Sequence, residues 1–222
     1  MRLCHLSDSH GTFPVLEGNY DAIVHTGDFF PNSHWIFCGD KVAEADFQFR
    51  WLQKNVELLK KQVGDNPYLF VLGNHDFMSP DLMERYLNSN GFNSFNLTNK
   101  LVNFSGVNFY GFPFIPVCGG NWNYEKDIPA MQVEVNKMVD QLNQVKVDVL
   151  ACHAPMFQYL DRSYGNVYCG STVIRQPLES KIKKEMLPRA YLNGHIHESA
   201  GVTTKDGMIV SNAGTTLHII EI

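Results

Sequence analysis

The chain has 222 residues, of which 44% are hydrophobic and 18% charged, and a net charge of −5. Those values describe one globular α/β-sized domain over residues 1–222, with enough chain to bury a core without covalent staples. No run of about eighteen apolar residues is present, which excludes a membrane-spanning helix, and no Lys/Arg-rich run is present, which disfavours an extended nucleic-acid surface.

The elements follow in chain order. Residues 3–7 form a short apolar run that ends at Asp8, and residues 22–27 form a second that ends at Asp28. Residues 42–63 carry Phe47, Trp51, Leu52, Val56, Leu59 and Val63 near helical spacing, so the face bearing Phe47, Trp51, Val56 and Leu59 is read as core. A third apolar run over 68–73 ends at Asn74. Ser79-Pro80-Asp81 then supplies an N-cap, a first-turn proline and a first-turn acid for a helix to about Asn88, closed by Gly91. Residues 96–104 and 107–112 read as a strand pair, and 128–142 as a third helix. The fourth apolar run, 147–152, ends at His153. A fourth helix is expected over 177–186, stopped by Pro188, and the fifth run, 190–194, ends at His195. Lys205-Asp206-Gly207 between two strand-like runs predicts a hairpin, with a last strand over 216–222.

Five apolar runs thus each stop at a polar residue able to bind a metal. Runs of this length and β-branched content are buried strands, and their alternation with helices implies an α/β fold. Ligands of such sheets lie at the carboxyl ends of the strands, which gathers two Asp, one Asn and two His at one mouth. Asp8-Ser9-His10 and His195-Ile196-His197 add a further ligand each, two residues on, a spacing that points both side chains the same way in an extended segment. Asp8, His10, Asp28, Asn74, His153, His195 and His197 mix carboxylate, amide and imidazole donors. That chemistry suits Mn²⁺, Fe²⁺, Zn²⁺, Co²⁺ or Ni²⁺ better than Ca²⁺ or a thiolate zinc site. Seven donors exceed what one ion with open positions takes, but they suffice for two ions about 3.5–4 Å apart.

Asp8-x-His10, Gly27-Asp28, Gly73-Asn74-His75-Asp76, His153 and Gly194-His195-x-His197 together resemble the calcineurin-like metallophosphoesterase superfamily, in its order and across most of the chain. The region 169–198 is similar to a branch of small metallophosphoesterase-domain proteins close to class III cyclic-nucleotide phosphodiesterases. The resemblance implies a four-layer αββα sandwich of two mixed β-sheets flanked by helices. It implies two divalent ions, Mn²⁺ foremost: one on Asp8, His10, Asp28 and His197, the other on Asp28, Asn74, His153 and His195, with Asp28 bridging. It further implies that a bridging hydroxide attacks phosphorus in line. His75 is then the group that contacts the phosphate and steadies or protonates the leaving oxygen.

One departure stands out. Many relatives carry an Asp three residues after the bridging Asp, as the partner of the histidine; here Asp28 is followed by Phe29-Phe30-Pro31-Asn32. That loss, with the absent Asp-Arg-Gly, argues against phosphoprotein substrates. The expected substrate is a small phosphodiester, such as a cyclic nucleotide. A phosphomonoester, a short nucleic-acid strand and a non-catalytic scaffold are the alternatives. The remaining singular residues have plainer readings: His5, His25 and His218 as structural residues, Asn32, His34 and Trp35 as surface loop. The aromatic stretch 110–124 reads as strand plus packed loop, with Trp122 the residue best placed to border substrate. The five cysteines, odd in number and without CxxC spacing, fit a reduced cytoplasmic protein.

Overall fold

The computed structural model describes residues 1–16 and 18–222; the side chains of Trp35 and Phe37 lie outside the described set. The strands are β1 (Arg2–Leu6), β2 (Ala22–Thr26), β3 (Tyr68–Val71), β4 (Ser94–Asn96), β5 (Leu101–Phe104), β6 (Val107–Phe112), β7 (Ile115–Pro116), β8 (Glu125–Lys126), β9 (Val149–Cys152), β10 (Arg162–Ser163), β11 (Val167–Tyr168), β12 (Ala190–Asn193), β13 (Gly201–Lys205), β14 (Met208–Asn212) and β15 (Leu217–Glu221). The α-helices are α1 (Lys41–Val63), α2 (Pro80–Ser89), α3 (Ile128–Gln144) and α4 (Thr172–Ser180).

Two large sheets result, ordered β15-β1-β2-β3-β4 and β13-β14-β12-β9-β6-β5. Both have a parallel centre. The first carries antiparallel β15 on one edge, and the second carries antiparallel β5 and β13 on its two edges. Alternation along each central strand sends side chains to opposite faces. In β1 and β2, Leu3, Ala22 and Val24 join Leu69, Val149, Ala151 and Leu192 between the sheets. Cys4 and Ile23 face the other way, into a core with Leu52, Val56, Leu59 and Leu87 of α1 and α2. Leu150 and Tyr191 likewise pack under Met131, Val135, Met138 and Leu178 of α3 and α4. Helix, sheet, sheet and helix form the four layers expected, and strands buried on both faces explain the uninterrupted apolar runs.

Polar ties also cross the middle layer. His5 bonds Ser211 Oγ of the opposite sheet through Nδ1 at 2.8 Å and Thr26 Oγ1 through Nε2 at 3.0 Å. Burial holds the His5 imidazolium well below its ordinary range, so the ring serves as a neutral bridge. The His25 ring, fully buried and stacked at 5.6 Å on Phe13, is also structural.

Three local expectations require correction. The fourth helix runs Thr172–Ser180, not 177–186: Ser171 Oγ accepts the Ile174 amide at 3.2 Å and caps it, Pro177 sits buried inside it, and Lys184–Met186 is a separate 3-10 turn. Ser79 is the N-cap residue of α2 but makes no side-chain cap bond. The buried face of α1 is Glu44, Gln48, Leu52, Val56, Leu59 and Val63, whereas Phe47 and Trp51 are half-buried. Two polar residues thus occupy the inner face of the first half of α1, where an amphipathic pattern predicts apolar ones.

Leu192 is fully buried between the sheets. Leu192→Ala is expected to cost about 2–5 kcal/mol in urea unfolding. Val202→Ala, on exposed β13, should change stability by less than about 0.5 kcal/mol. Equal effects would contradict the layer assignment.

Candidate metal centre

Five chain segments meet at the carboxyl ends of β1, β2, β3, β9 and β12, where Asp8, Asp28, Asn74, His153 and His195 follow the strand ends. Asp8, Asp28, Asn74 and His153 are all buried. Their backbone is not the extended one that the two-residue spacing suggests. Asp8, His10, Asp28 and His195 have φ of 48, 41, 56 and 69°, a left-handed conformation that costs non-glycine residues of order 1–3 kcal/mol. Hydrogen bonds between neighbouring loops hold it: Asp8 N donates to Gly27 O at 2.9 Å and His10 N to Asp28 O at 2.9 Å. The ligand pairs therefore converge through tight turns, not through strand alternation. Glycines make room. A Cβ on Gly73 would lie 2.3 Å from Asp28 Oδ1 and 2.7 Å from His153 Cε1, and one on Gly194 would lie 2.2 Å from Asp8 Oδ2.

The donor atoms form three overlapping trios, Asp8–His10–His197, His10–Asp28–His75 and Asp28–His153–His195, within each of which they lie inside 4.8 Å of one another. Asp28 is shared by two of them. His197 Nε2 stands 3.2 Å from Asp8 Oδ1, His153 Nε2 3.3 Å from Asp28 Oδ1, and His10 Nε2 3.8 Å from Asp28 Oδ2. His153 Nδ1 donates to Thr26 O at 2.8 Å, leaving Nε2 to face Asn74 Oδ1 at 2.9 Å. All seven predicted donors are thus brought together.

The electrostatics suit a cation. Among the described residues neither Asp8 nor Asp28 pairs with Lys or Arg; histidines are their partners. Burial would raise the Asp28 carboxyl, but the charge and hydrogen bond of His153 outweigh it and hold it well below the carboxylate range. For Asp8 burial is likewise outweighed, chiefly by the hydrogen bond to His197. Burial pushes His195 down to about 4, so it is neutral and ready to ligate at neutral pH. Two buried anions surrounded by imidazole donors are a costly arrangement without cations, and the donor set fits the two divalent ions expected.

The loop after Asn74 is bound tightly. His75 N donates to Asp28 Oδ1 at 2.8 Å, and Asp76 accepts from Gly73 N at 2.8 Å and Phe30 N at 3.0 Å. Burial and the Asp28 charge lift the Asp76 carboxyl to about 7. The His75 ring packs against Trp122 with centroids 3.8 Å apart, and Lys41 Nζ reaches Trp122 O at 3.2 Å.

Sequence reasoning passed over two residues and misjudged a third. Asn32, read as surface loop, places Oδ1 2.5 Å from His75 Nδ1. Behind it stand Glu44 and Gln48 of α1, both fully buried. Their one sequence signal is a polar pair at i, i+4 on the inner face of a helix. His34 is exposed, and the Trp35 side chain lies outside the described residues. Beside Asp8 and His10 opens a cleft of about 270 Å³, lined also by Ser7, Ser9, Thr12, Thr215 and Thr216.

A model of the calcineurin-like phosphoesterase family matches residues 1–199. The chain belongs to that family of metal-dependent phosphoester hydrolases. It is 25% identical over 215 residues to a UPF0046 protein of Caenorhabditis elegans, a match covering 89% of this chain and 68% of that one. A solved crystal structure superposes with a TM-score of 0.65 at 15% identity, covering 99% of this chain and 98% of the other, which supports the fold. No helix among the described residues is long and apolar enough to cross a membrane.

Gly73→Ala tests the close approach at the mouth. Its methyl group collides with Asp28 and His153 and leaves the strand cores untouched. Mn²⁺ affinity by titration calorimetry should fall about 10–100-fold with the circular dichroism spectrum retained. Unchanged affinity would contradict this geometry.

Proposed function

We propose that this chain is a two-metal phosphodiesterase acting on small phosphodiesters, such as cyclic nucleotides, as one domain over residues 1–222. The observation that carries the reading is Asp28, a buried carboxylate with His10 on one side and His153 and His195 on the other. Asp8, His10, Asp28 and His197 would hold one ion, and Asp28, Asn74, His153 and His195 the other, with Mn²⁺ the expected metal. Bound there, such ions would supply Lewis acidity at phosphorus and lower the pKa of water towards neutrality.

The protein's own groups do the rest. Asp28 fixes the spacing of the two half-sites. The Thr26 carbonyl and the Asp28 carboxylate orient His153 from both ring nitrogens. His75 Nε2, 4.0 Å from Asp28 Oδ2, faces the shared carboxylate and serves the leaving oxygen. Trp122, packed at a tilt against His75, and Lys41 border the side where an aromatic leaving group or nucleobase would lie. The small cleft beside His10 and the net charge of −5 favour a compact substrate over a polyanion. Five free thiols suit a reducing cytoplasm.

Hydrolysis of bis-p-nitrophenyl phosphate should require Mn²⁺, stop on chelation, and fall about a hundredfold or more in His75→Ala. Asn74→Ala should also lose activity. Turnover that survives chelation sinks the reading, and a preference for the monoester p-nitrophenyl phosphate would reassign the enzyme as a phosphomonoesterase.

A second test concerns protons. In the metal-free protein, burial opposes charge on His153, but Asp28 outweighs it and lifts the imidazolium to about 9 from an ordinary 6.5. A ligand nitrogen must shed that proton, so Mn²⁺ affinity should climb with pH up to about 9, by at most roughly tenfold per unit. The same proton stabilises the metal-free fold fully below 6.5, a contribution lost as pH rises through about 9. Affinity that stays flat between those limits would remove His153 from the ligand set.

A further inference from the structure

The His75 ring has an amide, not a carboxylate, on Nδ1, and it is nevertheless fixed. His75 Nδ1 lies 2.5 Å from Asn32 Oδ1. The orientation of the Asn32 amide is settled by its other neighbours. Its nitrogen donates to Glu44 Oε1 at 3.1 Å and to the His75 carbonyl at 2.9 Å, two groups that offer only lone pairs. The oxygen of the amide must therefore face His75, and His75 Nδ1 must carry the proton. The remaining nitrogen, Nε2, is left with its lone pair towards Asp28 Oδ2 at 4.0 Å.

Glu44 is itself over-determined. Its carboxylate also accepts from Ser33 N at 2.9 Å and Ser33 Oγ at 2.6 Å, so both residues of the 32–33 turn hang from one side chain of α1. One helical turn on, Gln48 holds the neighbouring loop, the one after β3. It donates to the His75 carbonyl at 2.7 Å and accepts from Phe77 N at 2.7 Å and Met78 N at 3.1 Å. Glu44 and Gln48 are fully buried on a helix otherwise anchored by leucine and valine. Burying two such side chains is unfavourable unless their hydrogen bonds are met, and here nearly every bond they make goes to the loops that carry Asn32 and His75.

We infer that Asn32, clamped by Glu44, is the positioning residue of His75: it holds the ring by Nδ1–H, so that Nε2 takes up a proton from solvent water and, as imidazolium, hands it to the leaving oxygen. An amide in this place differs from a carboxylate in adding no charge to the site, so the negative charge sits one residue further back, on Glu44, away from the incoming phosphate. The inference rests on the phosphodiesterase reading for its kinetic arm alone; the tautomer is a property of the metal-free protein.

The experiment has two arms. In metal-free protein, long-range nitrogen–proton correlation spectra should show His75 as the Nδ1–H tautomer, and Asn32→Ala should shift it towards Nε2–H. In Mn²⁺-loaded enzyme, kcat is compared on a p-nitrophenyl diester and on an alkyl diester, whose leaving oxygen needs protonation. Asn32→Ala should cut kcat on the alkyl ester about 10–100-fold, cut it much less on the p-nitrophenyl ester, and leave KM and bound metal within about twofold. Asn32→Asp alone sets a second carboxylate against Glu44, and pairing it with Glu44→Gln should restore most of the lost rate. A wild type inactive on both esters refutes the phosphodiesterase reading and leaves the spectrum to decide the tautomer. An active wild type whose Asn32→Ala variant keeps the tautomer, or loses rate equally on both esters, overturns the positioning role.

Discussion

Two buried carboxylates, without a lysine or arginine partner among the described residues, govern this molecule. Asp8 and Asp28 sit at the ends of adjacent parallel strands, nearly inaccessible to water, with histidine rings as their counter-groups. Charge in such a place is tolerated only where donors surround it. The donors come from three other segments and from His10 beside Asp8, so the site exists only when both sheets are assembled face to face. Backbone strain at Asp8, His10, Asp28 and His195 belongs to the same arrangement. Its cost is met by the inter-sheet packing and the loop-to-loop hydrogen bonds, which leave the turns no alternative conformation.

The layered architecture also explains how rigidity reaches the rim of the site. Central strands are buried on both faces, so their ends cannot drift relative to one another. The loops after β2 and β3 are less enclosed, and α1 secures them with Glu44 and Gln48 where the rest of its face buries hydrocarbon. One helix thus has two physical tasks along its length: apolar packing in its second half and polar anchoring of the catalytic-side loops in its first. Asp76 completes the fastening by accepting from both loops at once.

Much of this was legible in the residues. Each of the five strands announced its end by a switch from apolar to polar, because a strand buried on both faces must be apolar until the chain leaves the sheet. Asp206-Gly207 announced its hairpin because both residues must take positive φ, and they do. The start of α4 was misplaced because proline is common in a first turn, whereas here the cap at Ser171 set the boundary.

What the amino-acid order determined unaided was the set of candidate donor residues, their chain order and the strand ends on which they stand, all consequences of local periodicity and residue chemistry. What tertiary structure alone decided was how they meet. The left-handed turns at the ligands, the sharing of Asp28 and the contact of Asn32 with both His75 and Glu44 join positions far apart in the chain. No periodic pattern encodes such contacts, since they depend on which loops the packing of two sheets and a helix forces together. A polar residue on the inner face of α1 looks like an error of amphipathicity until the loop it holds is in view.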